Sequence, residues 1–119
     1  WTAYRATLYP SLWLLQFSGQ CRIFQNQTII SIITSVLDQD KVTYSNQVSS
    51  AGSETVDFCV QYNETDFNFI SRLMEGVGIF YFFQQTENGH TLVLADSISN
   101  YVTCPNASSV SFQDATDKQ

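Results

Sequence analysis

Hydrophobic positions recur along this chain at two spacings, near 3.6 and at 2, and the change from one to the other marks its elements. Phe67, Ile70, Leu73, Met74 and Val77 recur at the helical period, with Phe69 widening the stripe, which predicts a helix over residues 64–75. Asn63 is placed to accept from the free amides of the first turn, and Glu64 and Asp66 sit where the positive end of the helix dipole favours anions. Gly76 and Gly78 can take the left-handed conformation that stops a helix. A second stretch, "NQTIISIITSVLDQ", places Ile30, Ile33, Val36 and Leu37 on one face, broadened by Ile29 and Ile32. Its Ile and Val content also suits a strand, but its length and the Asn26/Thr28 start favour a helix.

Period-2 segments surround these two. "YRATLYP" alternates until Pro10, "CRIFQ", "KVTYSNQ" and "TVDFCVQY" read as strands, and "IFYFFQQ" and "HTLVLAD" flank an Asn88-Gly89 pair suited to a tight hairpin turn. "SLWLLQF" reads as one or two helical turns after a Ser11 cap, ended by Ser18-Gly19, and "VSSAGSE" reads as a loop. After Asp96 the chain thins into polar residues, with Val110 and Phe112 as its last apolar anchors.

Shifting the chain by 37 residues lays Asn26-Gln27-Thr28 over Asn63-Glu64-Thr65, and Ile30, Ile33, Val36 and Leu37 over Phe67, Ile70, Leu73 and Met74. Both halves read as strand, helix, strand. The expected fold is α+β: two strand–helix–strand units and a C-terminal hairpin, forming a small mixed or antiparallel sheet covered by helices. Residues 1–10 are expected to be a strand of an adjoining domain, residues 11–99 the α+β domain and residues 100–119 a tail. One run asks for more than this fold supplies. Ile79, Phe80, Tyr81, Phe82 and Phe83 are all large and apolar, so both faces of that strand need cover, within the domain or from another subunit.

Composition narrows the function. Hydrophobic residues make up 44% of 119 residues, enough for a real core, while five basic and eleven acidic residues give a net charge of -6. Nucleic acid and anionic membrane both demand clustered Lys and Arg, so neither is an expected partner. No apolar run approaches the roughly 18–20 residues of a membrane-spanning helix, so no membrane insertion is expected. The absence of an initiator Met and of a signal-peptide pattern points to a fragment of a longer chain. Cys21, Cys59 and Cys104 are odd in number and lack metal-ligand spacing, and are read as reduced, mostly buried thiols of a cytosolic protein. Sequons at Asn26, Asn63 and Asn106 suit a secreted glycoprotein, but helix capping accounts for the first two without a glycan.

No chemistry emerges from the residues. His90 is the only histidine and reads as a surface strand residue beside a turn. Glu64 with Asp66, and Asp38 with Asp40, are explained by a helix dipole and a solvated helix exit, not by acid–base catalysis. No catalytic, cofactor-binding or metal-ligating residue is assigned, and the chain is read as a non-enzyme with a structural or interaction role. A secreted carbohydrate-binding or adhesion module is the alternative from another class, motivated by the sequons and the aromatic richness.

Three ordered blocks, "LYPSLWLLQFSGQCRIFQNQTIISIITSVL", "CVQYNETDFNFISRLMEGVGIFYFF" and "HTLVLAD", resemble the N-terminal hub region of the VgrG family, the spike proteins of bacterial type VI secretion systems. The likeness runs from about Tyr4 to Asp96 and departs at Gly76-Val77, where that family often carries acidic residues. The resemblance implies a homotrimer docked on an inner tube of Hcp subunits, made in the bacterial cytoplasm and translocated when the machine fires. It carries no catalytic residues over to this region. The hub of a contractile phage tail is the nearest alternative, and the Ile79–Phe83 run is the candidate subunit contact.

Overall fold

The computed structural model describes residues 1–104 and 107–111. A 3₁₀ helix, Ser11–Gln16, is followed by β1 (Gly19–Thr28), α1 (Ile29–Gln39), β2 (Tyr44–Asn46), β3 (Thr55–Thr65), α2 (Asp66–Val77), β4 (Phe80–Thr86), β5 (Gly89–Ala95) and a short 3₁₀ turn, Ile98–Asn100. The α+β pattern holds, but the strands form two sheets: an antiparallel β1–β3 ribbon, and a mixed sheet ordered β2-β5-β4 with β2 parallel and β4 antiparallel to β5.

The 37-residue echo is built into the ribbon. Ile23 pairs with Val60, the residue 37 positions on, and the flanking pairs Arg22–Gln61 and Phe24–Cys59 exchange under the same shift. A local twofold relation therefore passes through the Ile23–Val60 pair. Each ribbon strand runs straight into its helix, and each helix leads to a strand of the other sheet, with β2 and β4 flanking β5.

The helix caps correct the sequence reading. Asn26 and Asn63 cap nothing; both have left-handed backbones, with φ 52° and 48°. Asn is among the few residues that tolerate this conformation, and Asn63 uses it where the ribbon register shifts, before the chain turns into α2. The caps are Thr28 and Thr65, whose side chains accept from the amides of Ser31 and Asn68 at 3.2 Å. Helix α2 thus begins at Asp66 and runs through Gly76 to Val77. Gly52 supports the start of α1 by accepting from the Ile30 amide at 3.1 Å. A Cβ there would stand 3.3 Å from Ile29 and from the Ile30 nitrogen, in a backbone at φ 67°.

Both helices end alike. Gly78, at φ 77°, lets Ile79 donate back to Met74 at 2.9 Å, and Lys41, at φ 56°, lets Val42 donate back to Leu37 at 2.9 Å. Lys41 and Gly78 are also 37 positions apart.

The core forms where the two helices meet the mixed sheet and the first 3₁₀ helix. Ile32, Ile33, Val36 and Leu37 of α1 and Phe69, Ile70, Leu73 and Met74 of α2 are buried with Leu12, Leu15, Leu92 and Leu94. "SLWLLQF" therefore buries leucines three apart on a 3₁₀ turn, preceded by Pro10 and without the expected Ser11 side-chain cap. "CRIFQ" is the middle of a 10-residue strand. The hairpin loop is Glu87-Asn88, one position earlier than expected, since Thr86 pairs with Gly89 and Gly89 opens β5. Val110 is exposed and anchors nothing, and Phe112 lies outside the described residues.

Lys41 holds a conformation that costs a side chain roughly 1 kcal/mol and costs glycine almost nothing. Lys41→Gly is expected to raise stability by about 0.5–1 kcal/mol in urea unfolding, and Gly78→Ala to lower it by about 1 kcal/mol. Equal effects of opposite sign at the two 37-related sites are the outcome to look for.

Candidate functional site

The ribbon's inner face holds a polar cluster at the junction of both helices. Arg22, on β1, donates from Nε to Gln61 Oε1 at 2.7 Å, from Nη1 to Gln39 Oε1 at 2.6 Å and from Nη2 to Asp66 Oδ1 at 2.5 Å. Gln61 and Asp66 are fully buried, and Gln61 Nε2 donates to Asp66 Oδ1 at 2.7 Å and to the Glu64 carbonyl at 3.0 Å. Asp40, at the end of α1, stands against Asp66. Burial, then the Asp66 charge and a hydrogen bond to it, raise the Asp40 carboxyl above the ordinary carboxylate range, with Arg22 partly offsetting. Both Asp40 Oδ2 and Asp66 Oδ2 are buried without a partner. A proton held between the two carboxyls would give these oxygens a donor.

Sequence reading missed this cluster. It assigned Asp66 to the helix dipole and Asp38/Asp40 to a solvated exit, and did not single out Gln61. The available signal was alternation: if Phe24 points inward, Arg22 does too, and an inward arginine requires a buried anion.

Other polar groups are also engaged. Arg72 pairs with Glu64 at 2.6 Å, and it also lies over the Phe69 ring. Asp96 accepts from the amides of Ala51 at 3.0 Å, Ser50 at 2.9 Å and Ser49 at 3.0 Å, which hold its carboxyl far below the ordinary range and pin the 49–51 loop to the end of β5. Among the cysteines only Cys59 is buried, and burial pushes its thiol up; Cys21 and Cys104 are exposed, contrary to the expectation of mostly buried thiols. Among the described residues no group of three His, Cys, Asp or Glu side chains could hold a metal, and no helix is long and apolar enough to cross a membrane. The Asn106 sequon lies outside the described residues.

What the surface offers is apolar. On the ribbon's outer face Ile23, Phe58, Val60 and Tyr62 are exposed side by side, Ile23 against Val60 across the strands. On the mixed sheet β4 is an edge strand, paired only with β5. Within the expected contact run, Ile79 is buried, while Phe80 and Phe82 have ring contacts with Tyr101 at 4.9 and 5.9 Å between centroids. The second face of this strand is thus covered in part by the chain returning after Ala95. Tyr81 and Phe83 turn the other way, toward Phe67 and Trp13, and line an open apolar groove with Tyr9, Pro10 and Leu12.

A family model described as the phage tail baseplate hub (GPD) matches residues 1–119. The chain belongs to this family. Among relatives of this hub chain, the type VI secretion system spike protein VgrG1b of Pseudomonas aeruginosa is 40% identical over 98% of this chain and 16% of its own length. VgrG1a of the same organism is 44% identical over 79% of this chain and 15% of its own length. The actin cross-linking toxin VgrG1 of Vibrio cholerae is 33% identical over 87% of this chain and 10% of its own length. A solved structure of the E. coli c3393 protein, a type VI secretion component described as similar to the bacteriophage T4 tail proteins gp27 and gp5, superposes with TM-score 0.71 at 28% identity, over 78% of this chain and 27% of that one. The hub chain thus spans about a sixth or less of its spike relatives.

Two predictions follow from the polar cluster of the hub fold. Arg22→Met strands a buried carboxylate and is expected to cost about 3 kcal/mol or more, while Arg22→Met with Asp66→Asn recovers at least about 1 kcal/mol in a double-mutant cycle. For Asp40 the folded carboxyl binds its proton more tightly than the unfolded one. Its contribution is therefore present below the ordinary carboxylate pKa and lost as pH rises through the raised folded value. Asp40→Asn is expected to gain on the wild type as pH rises from about 4 to about 7, read from urea midpoints across that range.

Proposed function

We propose that this chain is a structural part of the hub of a type VI secretion spike, without catalytic activity of its own. The observation that carries the reading is the family membership combined with a surface whose distinctive features are apolar and unpartnered: the outer ribbon face and the β4 edge. Exposed sheet edges and contiguous apolar faces mark assembly surfaces. In the longer protein we expect a homotrimer seated on Hcp subunits of the inner tube, held in the bacterial cytoplasm before firing and translocated with the spike. Residues 1–10 are then a strand of the adjoining tube domain, residues 11–99 the α+β hub domain and residues 100–119 the connection onward. Trp1, Tyr4 and Leu8 are exposed here, as suits a strand whose sheet lies elsewhere in the longer protein.

A second reading, the hub of a contractile phage tail, is favoured by the family's description and by the T4 proteins to which the c3393 structure is likened. It differs in which tube is bound, not in what this chain does. The cross-linking activity named for the Vibrio cholerae relative is not assigned to this chain, whose described residues show no catalytic constellation.

The test uses the longer protein. Within the Ile79–Phe83 run, Tyr81 is the residue with an exposed ring on an edge strand, whereas Ile79 is buried and Phe80 and Phe82 are half-covered by Tyr101. Tyr81→Asp is expected to raise the dissociation constant of the assembly at least about tenfold, seen as monomer by light scattering at unchanged circular dichroism. A folded variant with unaltered trimer mass removes this strand from the subunit contact. Failure of the wild-type protein to bind Hcp tubes removes the spike reading itself.

A further inference from the structure

The lone imidazole has a use that neither the hub reading nor the sequence pattern assigns. The amide of Ser11, the first residue of the 3₁₀ helix, donates to His90 Nε2 at 3.0 Å, and the Ser11 hydroxyl lies 3.1 Å from the same nitrogen. A backbone N–H can only donate, so Nε2 must carry its lone pair and the ring proton sits on Nδ1. This contact joins residues 79 positions apart, and it satisfies the helix start that Pro10 caps with no side chain. The ring is held edge-on against Phe83, 5.8 Å between centroids. The hydrogen bond therefore fixes where residues 1–10 leave the body relative to the β4–β5 hairpin.

We infer that His90 is a proton-sensitive latch on the N-terminal segment: neutral, it holds the Pro10–Ser11 corner to the hairpin, and protonated, it releases the Ser11 amide. The chemistry is one proton taken from water by Nε2. The new Nε2–H points at an N–H that cannot accept, so that bond is lost, while the Ser11 hydroxyl can reverse roles and accept. Apart from that hydroxyl, the groups facing the ring offer the charged imidazole nothing in return for the lost amide. They are Ser11 from the 3₁₀ helix, Phe83 and Gln85 from β4, and Leu8, Tyr9 and Pro10 from the N-terminal segment. None of them is a carboxylate, a lysine or an arginine, Tyr9 contributes a phenol, and among the described residues no carboxylate forms an ion pair with the imidazole. Protonation therefore trades a satisfied amide for an unpaired one, at the junction through which any force between the N-terminal segment and the body must pass. The inference depends on this geometry alone and stands whichever tube the longer protein binds.

The only histidine of the chain makes the titration unambiguous. In the 119-residue chain with ¹⁵N-labelled histidine, the ring nitrogen shifts report the protonation state between about pH 8 and about pH 5, while hydrogen exchange reports the Ser11 amide. The expected result is a proton on Nδ1 at high pH and a fall of about fivefold in Ser11 protection, corrected for intrinsic exchange, that tracks ring protonation while Leu92 and Leu94 stay protected. His90→Phe keeps a ring against Phe83 and is expected to show the low protection at both pH values. Ser11 protection that ignores the ring's charge, or that survives in a folded His90→Phe, overturns the latch. If that variant loses protection at Leu92 and Leu94, the wild-type titration decides alone.

Discussion

The fold depends on a single guanidinium that cannot be left unpaired. Arg22 sits on the inner face of β1 and reaches β3 through Gln61, α1 through Gln39 and α2 through Asp66. An arginine this enclosed is tolerated only where its donors are met, and an aspartate as buried as Asp66 only where its charge is met. The two requirements are satisfied together in one register of the ribbon, with Arg22 opposite Gln61. A slip of β1 by one residue would turn Arg22 and Phe24 outward together. Hydrophobic burial drives these helices onto the sheet, but the polar cluster selects which arrangement they adopt.

That cluster also breaks the symmetry of the two halves. Ribbon pairing, threonine caps and left-handed helix exits all repeat at 37 residues. About the Ile23–Val60 pair, however, one inward pair is Arg22–Gln61 and its counterpart is Cys59–Phe24, with Phe24 stacked 5.7 Å from Phe69. One side of the dyad is ionic and the other is greasy. Two similar units packed face to face could exchange roles; this difference gives each half one place only.

The surface divides in a way that suits a component of a larger body. Phe80 and Phe82 are partly covered by Tyr101, and the clasp of Asp96 on the 49–51 loop ties the end of β5 to the start of α1 through Gly52. Among the described residues the outer ribbon face and the edge of β4 have no strand or helix laid on them, and before Pro10 the chain is exposed except where Tyr9 stacks on Trp13. The body is therefore closely packed where it touches itself and apolar and open on the ribbon's outer face. The His90–Ser11 contact stands at the boundary between these regions.

Much of this was legible in the chain. The two helices, the strands that flank them and the hairpin follow from local periodicity, because side chains on a regular backbone repeat at 3.6 or 2 whatever they later pack against. The tertiary structure decided the matters that local pattern leaves degenerate. Asn-x-Thr could supply its cap from either residue, and the strained backbone at Asn63 and Asn26 gave it to threonine. Asp40 and Asp66 are 26 positions apart and His90 and Ser11 are 79 apart, so no periodicity relates them. Their meeting is fixed only when the ribbon register and the crossing of the two helices are fixed. Hydrophobic spacing determines which face of each element turns inward, while the pairing of charges and protons depends on where distant elements come to rest.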